Sequence, residues 1–409
     1  MTVQAVAAVL LILGGSFLEV PVAIVLGTIV LFLEVVHWIW VRHGLDGVTY
    51  ARRLATDRTS WGHDIPLSVE IWNRKRLPLA WLRADDETSG HVVVRERPLV
   101  VDEAGALAMR NAWTLAPFER VVRQLHVGAD QRGVFTLGPV RLSVGDLFAR
   151  RAATGEGEEV HRFIVRPRTV ATSGFERPDR WGGEDRARFG LTEDPARFVG
   201  VRPYAIGDPR RRMHHRTSAR LGRPMTKRFE PSRDREVLLA LDVQTEHGPA
   251  WEIAFDTEAV ESLIVVAASL ARSLAAERAT FGIVAAGYTG AESRFAHLPV
   301  SAGPGQLERV LDLLARLSSH ASAPFERLID LVHRTTHPGT TVVVVTARDP
   351  RPFFRRLRSL ERAGCDVVVL ACGPDATTDV AAARATGLIA RKAALDGPWR
   401  TAEHLAVTR

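Results

Sequence analysis

The sequence EVLLALDV at residues 236–243 decides the fold of the larger part of this chain. Five consecutive apolar residues precede Asp242, and a run without polar alternation is typical of a strand buried on both faces of a parallel sheet. Three similar runs follow: TFGIVAAG (280–287), TTVVVVTA (340–347) and DVVVLACG (366–373). Stretches with apolar residues at helical spacing accompany them, at residues 252–276, 306–317, 325–334 and 352–364.

Strands that alternate with helices imply right-handed crossovers and a largely parallel sheet. We therefore predict a Rossmann-like α/β domain over residues 235–409. Sheets of this kind bind ligands beyond the carboxyl ends of their strands. Asp242, at the end of the first predicted strand, is thus the first candidate for a functional side chain.

The rest of the chain is large enough for further domains. The whole chain has 409 residues, which is longer than one hydrophobic core usually supports, and 46% of them are hydrophobic. Its net charge of +7 is concentrated, since residues 202–235 hold eleven Lys or Arg and three acidic residues. A local cluster of this kind favours a local anionic contact, whereas a nucleic-acid surface is broader and carries stacking aromatics. We therefore expect no nucleic-acid partner.

The two cysteines, Cys365 and Cys372, flank an apolar run without a zinc-binding spacing. We expect both to be buried, reduced thiols.

The amino-terminal 42 residues predict a transmembrane helical hairpin. Residues 3–18 and 20–41 are almost wholly apolar, and a helix needs about 20 such residues to span a bilayer. The first segment is short and is interrupted by Gly14 and Gly15, so a re-entrant segment stays an alternative. No Lys or Arg precedes Arg42, which argues against a signal peptide.

Arginines crowd the end of the second apolar segment and predict the orientation of the protein. Such residues stay in the cytoplasm, so we expect a cell-membrane, multi-pass protein with the bulk of the chain cytoplasmic. The residues concerned are Arg42, Arg52, Arg53 and Arg58. Glu34 lies within the second segment, where a functional role and a packing or snorkelling role both stay open.

Short alternating runs, such as IPLSVEIW at 65–72, predict an antiparallel β-sandwich over residues 60–170. We expect NRKRLPLAWLRADDE (73–87) to form a hairpin and RGVFTLGPVRLSVGDLF (132–148) to form two strands bounded by glycines. Residues 171–234 lack this pattern, and we interpret them as a linker followed by an arginine-rich motif.

The arginine-rich motif reads YAIGDPRRRMHHRTSARLG at residues 204–222. Asp208-Pro209 favours a turn, and the residues after it predict a short helix closed by Gly222. Three roles stay open, in this order: a brace of arginine–carboxylate pairs between domains, a docking surface for an acidic partner, and a contact with anionic lipid. The candidate residues are Tyr204, Asp208, Arg210, Arg211, Arg212, Arg216 and Arg220. His214 and His215 are adjacent, so their side chains diverge and a shared metal is not expected.

The longer stretch FVGVRPYAIGDPRRRMHHRTSARLGRPMTKRFE (198–230) resembles the arginine and tyrosine motif of bacterial membrane proteins with the domain of unknown function 58. The resemblance covers nearly the whole chain and includes the two sandwich stretches quoted above. It implies a C-terminal domain similar to the von Willebrand factor A domain. It also implies an accessory or scaffold role, since such proteins accompany MoxR-type AAA+ ATPases and transglutaminase-like membrane proteins.

The same resemblance implies a divalent-metal site of the form Asp-x-Ser-x-Ser, which this sequence lacks. Asp242 is present, but Gln244 and Glu246 replace the serines. The later loops depart too, because SAGPGQL (301–307) offers no Thr, and Ala347 and Arg348 stand where an acidic ligand would follow the strand. We expect a degenerate site without a cofactor. Bound Mg²⁺, with oxygens of Thr245 and Glu246 beside Asp242, is the alternative.

These observations predict a non-enzymatic, membrane-anchored interaction or scaffold protein. The resemblance implies that it works with a MoxR-type AAA+ ATPase, or with another cytoplasmic or membrane protein, in an envelope-related or assembly process. The chain has no G-x-S-x-G, P-loop or H-E-x-x-H motif. A metal-dependent adhesion-type module is the first alternative. A hydrolase that uses Asp242, Glu246 and a histidine is the second.

Overall fold

The computed structural model of the protein describes residues 3–145, 151–175, 193–205, 213–231, 236–245, 256–290 and 293–409. The chain divides into two compact units, Met1–Arg166 and Pro167–Arg409. Each unit is described by itself below.

The first unit begins with two helices, α1 (Val3–Phe17) and α2 (Pro21–His43), as predicted for a helical hairpin. The helices pack closely at Gly27, where an added Cβ would lie 2.6 Å from Ile12 Cγ1 and 2.8 Å from the Ala8 carbonyl oxygen. α2 is long and apolar enough to cross a membrane. Glu34 is buried, although it lies within this apolar helix.

Eleven strands follow in two sheets. The first sheet has the order β1-β3-β8-β5, and the second has the order β2-β11-β9-β4-β7-β6 with β10 paired to β9. The strands are β1 Val48–Leu54, β2 Arg58–Ser60, β3 Ile65–Asn73, β4 Leu79–Thr88, β5 Val92–Val94, β6 Val100–Val101, β7 Leu107–Leu115, β8 Arg120–Ala129, β9 Gly133–Gly145, β10 Arg151–Gly157 and β11 His161–Arg166. The strands therefore begin before the domain boundary predicted at residue 60.

Two local predictions for this region are wrong. The stretch 73–87 is not a hairpin, because β3 pairs with β1 and β8 whereas β4 pairs with β7 and β9. The connection instead crosses from one sheet to the other, and Asn73 Nδ2 holds it by donating to the carbonyl oxygens of Leu77 and Ala116. Within the stretch 132–148, Gly133–Gly145 form one long strand, β9, rather than two, and residues 146–148 lie outside the described residues. Its two halves, on either side of Gly138, pair with different partners, β11 and β10.

Apolar side chains from both sheets form one core, and a buried polar cluster also joins the sheets. Arg52 on β1 donates from Nη1 to Asp86 Oδ1 on β4 at 2.8 Å, and Tyr50 donates its hydroxyl to the same carboxylate. The side chains of Arg52 and Asp86 are almost completely buried. Burial raises the pKa of Asp86 to about 6, although Arg52 and Tyr50 oppose the shift.

We expect Asp86 to make stability depend on pH. The folded protein holds a proton on Asp86 between about pH 4 and 6 that the unfolded chain has released, so this contribution is full below about pH 4 and is lost as the pH rises through 6. The free energy of unfolding of the wild type, relative to Asp86→Asn, should fall by about 2 kcal/mol from pH 4 to pH 7. Urea unfolding of the full-length protein in detergent measures it.

Asp102 provides a control of opposite sign. Burial works against the shift, but the N–H groups of Ala106 and Ala104 and the Arg141 guanidinium hold the pKa of Asp102 below its ordinary value. Its stabilising contribution is therefore present above the unfolded pKa and is lost as the pH falls. A wild-type minus Asp86→Asn difference that changes with pH in the same direction as the Asp102→Asn difference would contradict the assignment.

The second unit contains an eight-stranded sheet with the order β12-β21-β20-β19-β18-β15-β16-β17. Five neighbouring strands are parallel, from β20 through β19, β18 and β15 to β16, and β17 and β21 are antiparallel to their neighbours. Its strands are β12 Ala171–Ser173, β15 Glu236–Leu241, β16 Thr280–Ala285, β17 Ala296–Ser301, β18 Thr341–Thr346, β19 Asp366–Ala371, β20 Ile389–Leu395 and β21 His404–Thr408. The four predicted apolar runs are the strands β15, β16, β18 and β19.

Helices cover both faces of this sheet. α6, α7 and α8 share one core with alternate residues of the strands, such as Leu238 and Val342, while α4 contacts strands β15, β18 and β20 outside that core. The helices are α4 Thr257–Ala276, α5 Gln306–Arg316, α6 Phe325–Thr335, α7 Phe354–Arg362 and α8 Ala376–Ala385, with a short 3-10 helix at Arg351–Phe353. The first part of the helix predicted at 252–276 lies outside the described residues.

The segment predicted as a linker also contains regular structure. β12 lies within it and pairs in parallel with the last strand, β21. β13 (Glu193–Pro203) and β14 (Met225–Pro231) form a separate two-stranded antiparallel sheet, with helix α3 (His215–Leu221) between them in the chain. Residues 176–192 and 232–235 lie outside the described residues.

Candidate functional site: the strand-end ion pair and the basic arm

Asp242 follows the central strand β15 at the carboxyl edge of the parallel strands. Its neighbours β16 and β18 lie on opposite sides of β15, so the chain leaves β15 in one direction and later returns on the other side. This reversal is the topological switch point, where open α/β sheets bind their ligands. Arg348 lies two residues beyond the end of β18, on the other side of the same point.

Both carboxylate oxygens of Asp242 accept hydrogen bonds. Oδ2 accepts from Arg348 Nε at 2.7 Å and from Thr346 Oγ1 at 3.0 Å, while Oδ1 accepts from the backbone N–H of Gln244 at 3.2 Å. The side chains of Asp242 and Arg348 are 1% and 4% exposed.

Gln244 holds the other edge of the guanidinium. Its Oε1 accepts from Arg348 Nη2 at 2.9 Å and from the backbone N–H of Phe325, the first residue of α6, at 3.2 Å. The ring of Phe353 packs against the guanidinium, 5.5 Å from ring centroid to Cζ. These contacts fix Arg348 between the loops after β15 and β18 and the start of α6.

The surroundings of Asp242 act on its pKa in opposite directions. Burial raises the pKa of Asp242 above its ordinary value, although the Arg348 guanidinium, the Thr346 hydroxyl and the Gln244 N–H stabilise the ionised carboxylate and oppose the shift. An acceptor that is engaged at both oxygens is poorly placed to take a proton from a substrate. The arrangement therefore serves structure better than acid–base chemistry.

The other predicted ligand, Glu246, lies outside the described residues. Within the described part of the chain, no three His, Cys, Asp or Glu side chains lie close enough together to hold a metal ion. Sequence reasoning noted Arg348 only as a departure from a family pattern and missed its contact with Asp242. The signal for the pair was available, because two oppositely charged residues follow adjacent buried strands.

The second candidate site is the basic arm, which we define as β13, α3 and β14. β13 pairs with β14 from Val201 with Lys227 to Pro203 with Met225. α3 is attached to β14 by Ser218, whose Oγ accepts from the Met225 N–H at 2.9 Å and donates to the His214 carbonyl oxygen at 3.0 Å. The predicted short helix closed by Gly222 is confirmed, since Gly222 adopts a left-handed conformation with φ of 65°.

His214 supports the start of α3. Its Nδ1 accepts from the Thr217 N–H at 3.2 Å, and its ring stacks on Phe198 at 5.9 Å between centroids. His215 is exposed. Adjacent His214 and His215 therefore serve different surroundings, as expected.

The arm exposes basic and apolar side chains together. Phe198 and Leu221 are 53% and 50% exposed. The described basic side chains of the arm and of the turn after α3 are Arg202, Arg216, Arg220, Arg223 and Lys227. In the sequence, residues 193–231 hold ten Lys or Arg and four acidic residues. The arm thus carries a local positive charge beside exposed apolar surface.

The structure describes only part of the predicted arginine set. Tyr204 is half-buried, and its backbone N–H donates to the Pro224 carbonyl oxygen at 3.0 Å. Asp208 and residues 210–212 lie outside the described residues. Arg216 and Arg220 are exposed on α3, so the partial burial that the brace interpretation requires of at least one of them is not found. The short helix is held by backbone and Ser218 contacts and leaves both arginines at the surface.

We expect these two arginines to contribute little to stability. Arg216→Ala and Arg220→Ala should each change the free energy of unfolding by less than about 1 kcal/mol, because exposed charges gain little from pairing. Arg52→Ala is the buried comparison, and it should cost roughly 3 to 5 kcal/mol because it leaves Asp86 unpaired. Urea unfolding of the three full-length variants in detergent tests this, and a loss at Arg216 or Arg220 comparable to that at Arg52 would restore the brace.

The prediction for the cysteines is confirmed for Cys365 and holds only in part for Cys372. Both thiols are free, and Cys365 is buried while Cys372 is half-buried. Burial raises the pKa of Cys372 to about 12, so its thiol is protonated at neutral pH and is a poor nucleophile.

Residues 200–372 match the family model described as Protein of unknown function DUF58. The match begins within β13 and extends just beyond β19, so it includes most of the basic arm and both members of the strand-end ion pair. It supports the resemblance that the motif at residues 198–230 carries. No curated protein matches the chain.

Similarities to solved structures are distant. The CARDB domain of a Pyrococcus furiosus protein is 14% identical, over 29% of this chain and 84% of that one, with a TM-score of 0.19. Native alpha-2-macroglobulin from Escherichia coli is 20% identical over 30% of this chain and 17% of that one, with a TM-score of 0.20. A non-cellulosomal cohesin from Archaeoglobus fulgidus is 11% identical over 29% of this chain and 90% of that one, with a TM-score of 0.19. Scores this low carry no argument about fold or function.

Proposed function

We propose that this protein is a non-enzymatic, membrane-anchored interaction or scaffold protein whose basic arm docks an acidic cytoplasmic partner. We propose that this partner is a MoxR-type AAA+ ATPase and that the two proteins act in an envelope-related or assembly process. We further propose that the first unit is a β-sandwich and that the second unit has a fold similar to the von Willebrand factor A domain. The proposed role requires no cofactor.

The observation that carries the proposal is the surface of the basic arm. Exposed arginines lie on an element that also exposes Phe198 and Leu221. Surfaces of this kind gain affinity from apolar contact and gain specificity and association rate from opposite charge. A protein surface with acidic and apolar side chains supplies both the apolar contact and the opposite charge. The positive charge of the arm attracts such a surface from a distance.

The strand-end ion pair supports the non-enzymatic part of the proposal. Asp242 is the buried carboxylate at the position where an α/β sheet would place a catalytic or ligand-binding group. Its two oxygens are engaged by Arg348, Thr346 and Gln244. A hydrolase that used Asp242 as a base would have to break these contacts first.

The hairpin α1–α2 supports the membrane anchor, since α2 is long and apolar enough to span a bilayer. We propose that both termini face the cytoplasm, because arginines follow α2 and none precedes it. In an Arg409→Cys variant, a membrane-impermeant thiol reagent should label the new cysteine only after the cells are permeabilised. Labelling of intact cells at this position would contradict the orientation. The wild type, whose two thiols are buried or half-buried, gives the background.

Charge reversal on the arm tests the partner. Full-length protein in detergent should bind the purified MoxR-type ATPase of the same organism, and the double change Arg216→Glu with Arg220→Glu should reduce affinity at least tenfold, equivalent to about 1.4 kcal/mol. Wild-type binding should weaken as salt is raised, because exposed charges are screened. Calorimetry or surface-plasmon resonance measures both effects.

The matched control reverses Arg355 and Arg362, two exposed arginines on α7 in the same unit. It changes the net charge equally and should leave binding within about twofold, because long-range charge alone contributes little at moderate salt. Equal losses in the two double variants would remove the arm as the docking surface. Absence of binding by the wild type in every nucleotide state would remove the ATPase as the partner. Binding of the wild type to anionic vesicles, lost on reversal of the arm, would favour the lipid interpretation.

A further inference from the structure

The topological switch point of the second unit is already filled by a side chain of the protein. The loops after β15 and β18 diverge there and would leave the crevice in which open α/β sheets hold ligands. Arg348 enters from the β18 side, and its guanidinium lies against Asp242 and Gln244 from the β15 side. With 4% of the Arg348 side chain exposed, the charged group is almost completely enclosed.

Among the described residues, the oxygen atoms of Asp242, Thr346 and Gln244 do not fit a divalent metal. The carboxylate of Asp242, the hydroxyl of Thr346 and the amide oxygen of Gln244 each accept from a backbone or guanidinium N–H. Mg²⁺ requires oxygen ligands at about 2.0–2.1 Å in octahedral geometry. A metal here would have to displace those donors and then lie beside the positive charge of Arg348.

The same atoms fit a guanidinium. The group is planar, permanently charged and rich in N–H donors at fixed angles. Nε meets Asp242 Oδ2 at 2.7 Å, Nη2 meets Gln244 Oε1 at 2.9 Å, and the flat face lies over the ring of Phe353. A lysine ammonium offers neither the fork nor the flat face.

We infer that the strand-end crevice is a guanidinium site that the protein fills with its own Arg348, in the position where a domain of the proposed fold would hold a metal ion. A partner that binds at this edge therefore requires no divalent ion. The inference is independent of the docking role of the basic arm.

Chemical rescue tests the inference in the full-length protein in detergent. Arg348→Ala should lower the unfolding midpoint by on the order of 10 °C, because it leaves Asp242 buried without its counter-charge. Millimolar guanidinium or methylguanidinium should then raise the midpoint along a saturable curve, since a ligand of the folded state stabilises by mass action. Sodium chloride at the same ionic strength should not.

Two further variants make the result specific. Arg351→Ala removes an exposed arginine three residues away, so it should barely change the midpoint and should show no recovery with guanidinium. Arg348→Lys keeps the charge but loses the fork, so it should be less stable than the wild type and folded even where Arg348→Ala is not. Mn²⁺ and EDTA should leave the wild-type midpoint unchanged.

Several outcomes would overturn the inference. These are an Arg348→Ala midpoint equal to that of the wild type, no recovery with either guanidinium compound, full stability of Arg348→Lys, or a rise in the wild-type midpoint with Mn²⁺ that Asp242→Ala abolishes. Recovery of Arg348→Ala by Mn²⁺ but not by guanidinium would also reject it, because the site would then be a metal site that arginine merely blocks.

Discussion

The buried pair of Arg348 and Asp242 constrains the carboxyl edge of the sheet in the second unit. It joins the loops after two adjacent strands, and through Gln244 it also fixes the first residue of α6. Neither charge can be removed alone without leaving the other buried and unpaired. The ion pair therefore holds the loops at this edge in one arrangement. The oxygen atoms that the ion pair does not engage set the chemistry available there.

Sequence patterns predicted the fully buried strands and missed strands of mixed exposure, including β20, and the helix α8. The runs that became β15, β16, β18 and β19 lack polar alternation because both faces of the sheet are covered by helices. β12, β17 and β21 have three to six residues with mixed exposure, so their pairing decides their structure rather than any period in the sequence. The same limit explains the hairpin predicted at residues 73–87, since alternation shows that two strands exist but not that they share a sheet.

The candidate sites were predicted in part for a related reason. Gly222 and the polar residues before it indicated helix α3, because capping is a local effect. The pairing of β13 with β14 joins residues more than twenty positions apart and has no local signal. The partner of Asp242 is also distant in sequence, although a parallel sheet with Asp242 at one strand end makes the neighbouring strand ends the places to look for it.

The pairing of β12 with β21 shows where the second unit begins in the chain. Ala171–Ser173 lies beside His404–Thr408, and the residues before β12 are bound to α4, where Val170 N–H donates to Ser269 Oγ and Arg272 to Thr169 Oγ1. The unit therefore begins near residue 167, well before β15, the first strand that the sequence predicts in it. A fragment that started at the obvious strand, β15, would leave the edge of β21 unpaired and open to other chains.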